Sequence, residues 1–249
     1  MKISLKTSIF LIIIILTPRV PLMAQMSLDM ETGFVSASKN DVQIPGDQGT
    51  MLSLTDDLAS ASSFFFRIKG GYRIRERHNI IALVAPLTMK SDGFLPYDVS
   101  FAGVVFPADS MLDARYKFNS YRLTYRYDII LKKKVEFGLG ITAKLRDAAI
   151  TLRSPDLIAK KTNTGFVPLI NFRLLLMMDD RLGLLLEGDA LAAPQGRAED
   201  ILFAAQYEIS DKMHMHVGYR LLEGGADNDE VYNFSMFNYG SIGFTYTFR

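Results

Sequence analysis

The chain has 249 residues, enough for one domain with a sizeable interior. Its 28 Lys and Arg balance 27 Asp and Glu, so no bulk charge argues for a nucleic-acid partner, and the absence of cysteine excludes disulfides, thiolate metal sites and a lipid-modified N-terminal Cys. At 49% hydrophobic and 22% charged, the averages are those of an ordinary globular protein, and only the order of the residues is informative.

The first element is an export signal. Lys2 and Lys6 precede the apolar run Ile9 to Leu16, Pro18 breaks it, and Leu22-Met23-Ala24 offers a cleavage site. The run is about half the roughly 20 residues that a spanning helix needs. Residues 1–24 are therefore expected to be a signal peptide, and 25–249 the mature domain. Nothing later in the chain is an apolar helix of membrane length, so any membrane span has to be built of strands.

Ten segments with period-2 alternation follow, near 26–37, 62–75, 79–91, 115–130, 135–148, 164–178, 182–193, 200–209, 213–223 and 235–248. In the second, Phe64, Phe66, Ile68, Tyr72 and Ile74 share one face and Arg67, Lys69 and Arg73 the other. In the fourth, Tyr121, Leu123, Tyr125, Tyr127 and Ile129 oppose Ser120, Arg122, Thr124, Arg126 and Asp128. The fifth sets Leu139, Ile141, Ala143 and Leu145 against Glu136, Thr142, Lys144 and Arg146; the ninth sets Met213, Met215, Val217, Tyr219 and Leu221 against His214, His216 and Arg220. Through the body of each segment the apolar phase holds no Asp, Glu, Lys or Arg. Contact with lipid explains that emptiness, because a lipid-facing Arg or Lys at mid-bilayer costs roughly 2–4 kcal/mol.

The connections are unequal. Arg75–His78, Leu131–Lys134, Met178–Arg181 and Ser210–Lys212 are tight and polar, and they alternate with longer stretches at 38–61, 91–114, 149–163 and 224–234, the exception being 194–199. In the last segment Ile242, Phe244, Tyr246 and Phe248 alternate up to the end, with Arg249 after the final aromatic. This strand resembles the C-terminal signature of bacterial outer-membrane β-barrel proteins, which the assembly machinery reads. The resemblance covers the whole mature chain as architecture. It implies an all-β, up-and-down antiparallel transmembrane barrel of about ten strands, with short periplasmic turns and long extracellular loops. It further implies a place in the outer membrane of a Gram-negative bacterium, among membrane lipids and lipopolysaccharide. A soluble periplasmic, lipocalin-like barrel with its apolar face inside is the alternative. The unequal connections and the ionic character of the second face count against it.

With the apolar face outward, the lumen receives the charged face. Depth counted from the short turns puts Arg67, Lys69, Arg122, Arg126, Lys144, Arg173 and Arg220 at middle levels, with Glu31, Glu187 and Asp189 beside them. Asp29, Asp128, Glu136 and Glu208 also point inward. A ten-stranded barrel is narrow and filled by its own side chains, so these charges must pair. The register permits Arg173 to reach Glu187 across neighbouring strands. The apparent surplus of cations would suit a porin-like, anion-favouring passage.

Chemistry is sparse. Omptin proteases are ten-stranded barrels that use Asp and His near the outer rim, and barrel lipid A deacylases and phospholipases rely on His with Ser. Here His78, His214 and His216 all fall at the short-turn end. His214 and His216 share a face and could ligate a metal with a third group, the alternative being a structural or solvated pair. Asp227, Asp229 and Glu230, in the glycine-led stretch Gly224 to Glu230, are oxygen ligands dense enough for a weak calcium site, which Glu199 and Asp200 from the preceding outer loop would join. The spacing is not that of an EF-hand. Phosphate loops, serine elbows and metalloprotease helices are missing. The reading is a non-enzymatic outer-membrane barrel, either structural and surface-binding or a narrow anion-favouring pore. An outer-membrane enzyme acting on lipid or peptide through carboxylates is the alternative.

Overall fold

The structure, a computed structural model, describes residues 25–193 and 196–248, so residues 1–24, expected from the sequence to be a signal peptide, and Arg249 lie outside the described residues. In chain order the strands are β1 (Gln25–Gln43), β2 (Leu52–Ser53), β3 (Ala59–Ser60), β4 (Ser63–Ile74), β5 (His78–Ala85), β6 (Thr88–Phe94), β7 (Val99–Phe101), β8 (Val104–Phe106), β9 (Met111–Lys132), β10 (Val135–Arg153), β11 (Ile158–Met177), β12 (Leu182–Ala193), β13 (Gly196–Ser210), β14 (Met213–Asn228) and β15 (Val231–Phe248). Ten of these positions form a closed antiparallel wall, β5 and β6 sharing one of them. β1 pairs with both β4 and β15, and β9 closes the circle on β10. Closure removes the free edges that an open sheet would expose to lipid.

All four tight turns of the sequence reading are present between β4 and β5, β9 and β10, β11 and β12, and β13 and β14. Arg75 adopts a left-handed φ of 55° to make the first. In the third, Asp179 accepts the backbone N–H of Arg181 at 2.8 Å and of Leu182 at 2.7 Å. Those two donors hold its carboxyl below the usual carboxylate range.

The opposite rim corrects the reading. The stretches 149–163 and 224–234 are not loops: β10 runs to Arg153 and β11 starts at Ile158, while β14 reaches Asn228 and β15 starts at Val231. These are hairpin arms closed by tight turns. At about 3.3 Å per residue, the 22 residues of β9 extend roughly 70 Å along the strand, about twice what a tilted strand needs to cross a 25 Å apolar band. The far half of the wall therefore stands clear of the bilayer.

The two halves differ in polarity. In the lower half Leu123, Ile141, Phe166 and Val217 point outward and are at least half exposed, as a lipid-facing belt requires, while Thr124, Thr142, Lys144 and Arg220 are buried inside. This is the opposite of a lipocalin-like interior. Above it the phase continues but the chemistry inverts. On β9, Leu112, Ala114 and Tyr116 are buried inside, and Asp113 and Arg115 are outside. Arg115, Lys117, Asp147 and Glu223 share the phase of the lipid-facing residues, but all four lie above the belt.

The remaining long connections, 44–62 and 95–110, fold into the upper barrel and plug it. Leu52, Leu54, Leu58, Val99, Phe101 and Phe106 are at most 2% exposed, packed against Val35, Val42, Met89, Leu112, Leu152 and Phe237 of the wall. The β7–β8 hairpin turns through Ala102 and Gly103, both at positive φ, which suits a two-residue hairpin loop. Thr50 N–H donates to the Ser100 carbonyl and Ala102 N–H to the Ile44 carbonyl, each at 2.8 Å, joining the two insertions. The inner face of β5 and β6 (Leu83, Ala85, Leu87, Met89) is apolar because its upper part packs against this plug.

Candidate functional site

The charged lumen below the plug is the candidate site. Its centre is Asp200 on β13, which is 2% exposed. Its Oδ2 accepts Arg122 Nη2 at 2.5 Å and Arg67 Nη2 at 3.0 Å; its Oδ1 accepts Arg220 Nη1 at 2.6 Å. Three guanidinium groups from three strands thus converge on one carboxylate, through charge-assisted bonds in a site largely withdrawn from water. Arg220 also forks onto Glu31, with Nε at 2.8 Å and Nη2 at 2.7 Å, and Arg67 Nε lies 3.5 Å from the same carboxylate.

A second layer surrounds this centre. Arg122 Nη1 donates to Asp189 at 2.7 Å, and Asp189 Oδ1 also accepts Thr142 Oγ1 at 2.6 Å and Asn171 Nδ2 at 2.9 Å. Lys69 Nζ bonds Glu187 at 2.5 Å and stands 3.6 Å from Asp29. Nearer the short turns Arg126 approaches Asp128 at 3.4 Å, and Arg173 bonds Glu136 at 2.7 Å. Arg67, Lys69, Arg122, Arg126, Arg173, Arg220, Glu31, Glu187 and Asp189, singled out from the sequence, all take part in these pairings.

Three expectations change. The cation surplus disappears: six of the seven mid-level cations have a carboxylate within 4.0 Å, because Asp200, Asp29, Asp128 and Glu136 supply what depth counting left out. The missed residue is Asp200, expected in an outer loop near a calcium site. β13 begins at Gly196, so Asp200 already lies within the strand and shares the inward phase with Leu202 and Ala204. Stepping back by twos from Glu208 would have found it. Second, Arg173 and Glu187 are direct partners in the ladder, yet each bonds elsewhere: in so narrow a barrel, Lys69 reaches Glu187 from across the lumen. Third, Asp227, Asp229 and Glu230 are not gathered into a site. Among the described residues no three carboxylates or imidazoles meet as metal ligands, and Glu230 instead lies 3.5 Å from Lys161.

Lys144 is the exception among the cations. It is 2% exposed, with no carboxylate within 4.0 Å among the described residues, and its ammonium sits 4.9 Å from the centre of the Phe118 ring. That ring belongs to the apolar packing above, so Lys144 marks the boundary between charged lumen and plug, held by a cation–π contact. The histidines lie low. His78 Nδ1 is 2.8 Å from Tyr125 Oη, and His216 Nδ1 is 4.0 Å from Asp29, its ring fitting over Gly243, where a Cβ would collide with it.

What space remains is small. A cavity of about 50 Å³ is lined by Glu31, Arg67, Lys69, Arg122, Glu187, Asp200 and their neighbours. That is room for a few water molecules.

No protein-family model matches the chain, and no curated protein matches it in sequence. Among solved structures it is similar to the outer-membrane protease OmpT of Escherichia coli, at 12% identity over 90% of this chain and 97% of that one, with a TM-score of 0.51. It is also similar to Ail, the attachment invasion locus protein of Yersinia pestis (11% identity, 90% and 99% covered, TM-score 0.41), and to the outer membrane protein OprG of Pseudomonas aeruginosa (11%, 90% and 96%, 0.38). At such identities the likeness is one of fold. The chain has the fold of the bacterial outer-membrane β-barrel proteins, and its apolar outer belt fits it to the cell outer membrane.

Proposed function

We propose that this protein is a closed, non-enzymatic outer-membrane barrel, with the lumen network bracing the wall and the plugged upper half presented at the cell surface as a structural, surface-binding head. The carrying observation is the convergence of Arg67, Arg122 and Arg220 on Asp200 beneath an apolar plug, around a cavity of only about 50 Å³. A lumen so filled with paired side chains offers a hydrated anion little room, and the balanced pairing gives it little local positive field to follow.

Against a carboxylate enzyme stands the same pairing. Asp189, Asp200, Glu31 and Glu187 each accept charged donors at 2.5–2.8 Å or are shared between them, leaving little capacity for a water or substrate. The three histidines sit towards the short-turn rim, away from the outer leaflet. The test is conductance of the refolded, heat-modifiable protein in planar bilayers. Silence at physiological salt is the expected result. Stable single-channel steps with an anion-selective reversal potential would overturn the closed reading in favour of a narrow pore.

A further inference from the structure

The upper wall has a step in it. β12 reaches only Ala193 and β13 starts at Gly196, while β11 beside them continues up to Ile158. The last pair between β11 and β12 is Ile170 with Ala190, so Ile158 to Leu169 pair with β10 alone. The turn bonds fix which backbone groups this leaves free. Met177 N–H donates to the Lys134 carbonyl on the β10 side, and Met178 N–H to the Leu182 carbonyl on the β12 side. Odd residues of β11 therefore bond β10, and even ones turn their N–H and C=O towards β12. Above Ile170 those are Pro168, Phe166, Thr164, Thr162, Lys160 and Ile158, and none has a backbone partner on that side among the described residues. Pro168 has no N–H to lose there, as an edge permits.

Phe166 lies in one register row with the exposed Leu145 and Tyr121, at the top of the apolar belt. Thr164, Thr162 and Lys160 stand outward above it and are exposed. Elsewhere the plug covers the upper edges: β2 pairs with the top of β1, and β3 pairs with β6. Covering is the usual protection of an edge strand, and β11 goes without it.

The inner side of the step carries unmatched charge. Arg146 on β10 is the ladder partner of Gly165; its Nη2 donates to Asn163 Oδ1 at 2.6 Å, and its buried Nε has no partner. Among the described residues no carboxylate lies within 4.0 Å of it. A Cβ at position 165 would stand 3.1 Å from Arg146 Nη2, so the glycine leaves the guanidinium room beside the vacant strand position. Lys161, at the mouth, reaches Glu230 of the β14–β15 turn at 3.5 Å. The Glu230 side chain is 82% exposed, and an ion pair so open to water contributes little.

We infer that this step is a strand-addition site for an extended peptide of a partner protein, with a carboxylate side chain on its inward face. The peptide backbone completes the hydrogen bonds of Phe166, Thr164 and Thr162 at a strand spacing of about 4.8 Å. The carboxylate meets Arg146 beside Gly165, and Lys161 turns from Glu230 to a second one. A second copy of this chain is disfavoured as the occupant, because its β11 would bring Lys160, Lys161 and Arg146 against their own duplicates. The inference deepens the surface-binding reading and rests on it, but not on the closed lumen. Conductance decides the lumen and the measurements below decide the edge, so either can fail alone.

The folded protein in detergent micelles is titrated with a synthetic, end-blocked peptide of about seven residues alternating Thr and Glu. Versions with Lys for Glu, and with alternate residues N-methylated, serve as comparisons. In the free protein, amide exchange should be fast at Thr162 and Thr164 and slow at Asn163 and Gly165, which bond β10. The acidic peptide should bind at about 1 mM or tighter and slow exchange at Thr162 and Thr164. The Lys and N-methylated versions should bind at least about tenfold more weakly, and Arg146→Gln should weaken the acidic peptide by roughly the same factor. Thr164→Pro removes an N–H that faces the vacant position, so it should abolish binding and leave heat-modifiable migration intact. If that variant fails to fold, the N-methylated peptide tests the same bonds from the other side. Slow exchange at Thr162 and Thr164 in the free protein, no binding of the acidic peptide, or equal binding of the Lys version would overturn the site. A dimer of the free protein that Thr164→Pro dissociates would make the occupant a second copy and overturn the peptide reading.

Discussion

The lower and upper halves of this barrel share the same strands and the same alternation, yet their insides are opposites. Below, Thr124, Thr142 and the Asp200 network face inward while Leu123, Ile141 and Phe166 face outward; above, Leu112, Ile150, Leu152 and Phe237 face inward and Arg115, Arg153 and Lys160 outward. What changes between them is the solvent on the outside. Lipid around the lower half forces every charge into the lumen, where it must be paired. Water around the upper half permits an ordinary apolar core. The wall is one structure in two solvents, and Lys144 over Phe118 is where they meet.

The largest effects should come from the lower lumen. Asp200→Asn leaves Arg67, Arg122 and Arg220 without their shared carboxylate, and should cost on the order of 3–5 kcal/mol in urea unfolding in detergent micelles, less where water enters. The same change at the exposed Asp227 of the upper hairpin should stay within about 0.5 kcal/mol. Equal costs at both would remove the distinction between the halves.

In the upper half the sensitive positions are apolar. Phe101→Ala empties a fully buried site in the plug and should cost about 3–5 kcal/mol of local stability. Limited proteolysis should then cut within 44–62 or 95–110 while the wall keeps its heat-modifiable migration. Loss of the wall as well would show that plug and barrel fold as one cooperative unit.

Charge on the outer surface sharpens the boundary. Ile141 and Thr151 lie in the same outward phase of β10, one in the belt and one above it. Ile141→Arg should cost roughly 2–4 kcal/mol or block assembly, and Thr151→Arg should fall within about 0.5 kcal/mol. The smallest effect is expected at the boundary itself. Lys144→Met should change stability by on the order of 1 kcal/mol or less, since no carboxylate is stranded by its removal. A loss as large as that of Asp200→Asn would mean that Lys144 carries an ion pair in the membrane.

The sequence was legible where one solvent rules a segment. Tyr121 to Ile129 against Ser120 to Asp128, or Val217 and Tyr219 against His216 and Arg220, give phase and strand identity directly, and the ionic character of the second face together with the unequal connections gives the side. Legibility failed at the inversion. On β9 the apolar residues move from odd positions, Tyr121 to Ile129, to even ones, Leu112, Ala114, Tyr116 and Phe118; on β10 they move from Leu139–Leu145 to Ile150 and Leu152. A reader following the apolar phase sees the pattern dissolve and ends the strand, turning 149–163 into a loop. The same early stop left Asp200 at the very edge of its segment, read with the outer loop rather than the lumen, and made the lumen look too cationic. The plug was hidden for another reason: residues 44–62 and 95–110 have no period, and only the structure shows that Leu52, Leu58, Phe101 and Phe106 meet inside the wall.

The inversion can be read along one strand. The chain has no cysteine, so single cysteines at each position from 113 to 129 of β9 can carry a spin label in reconstituted membranes. Relaxation by oxygen, which partitions into lipid, and by a water-soluble nickel chelate then reports the solvent at each site. Odd positions 121–129 should respond to oxygen, odd positions 113–117 to nickel, and the even positions weakly to both. Oxygen accessibility continuing unbroken through 113–117, or maxima at even positions above 118, would contradict a single wall whose outer solvent changes from lipid to water.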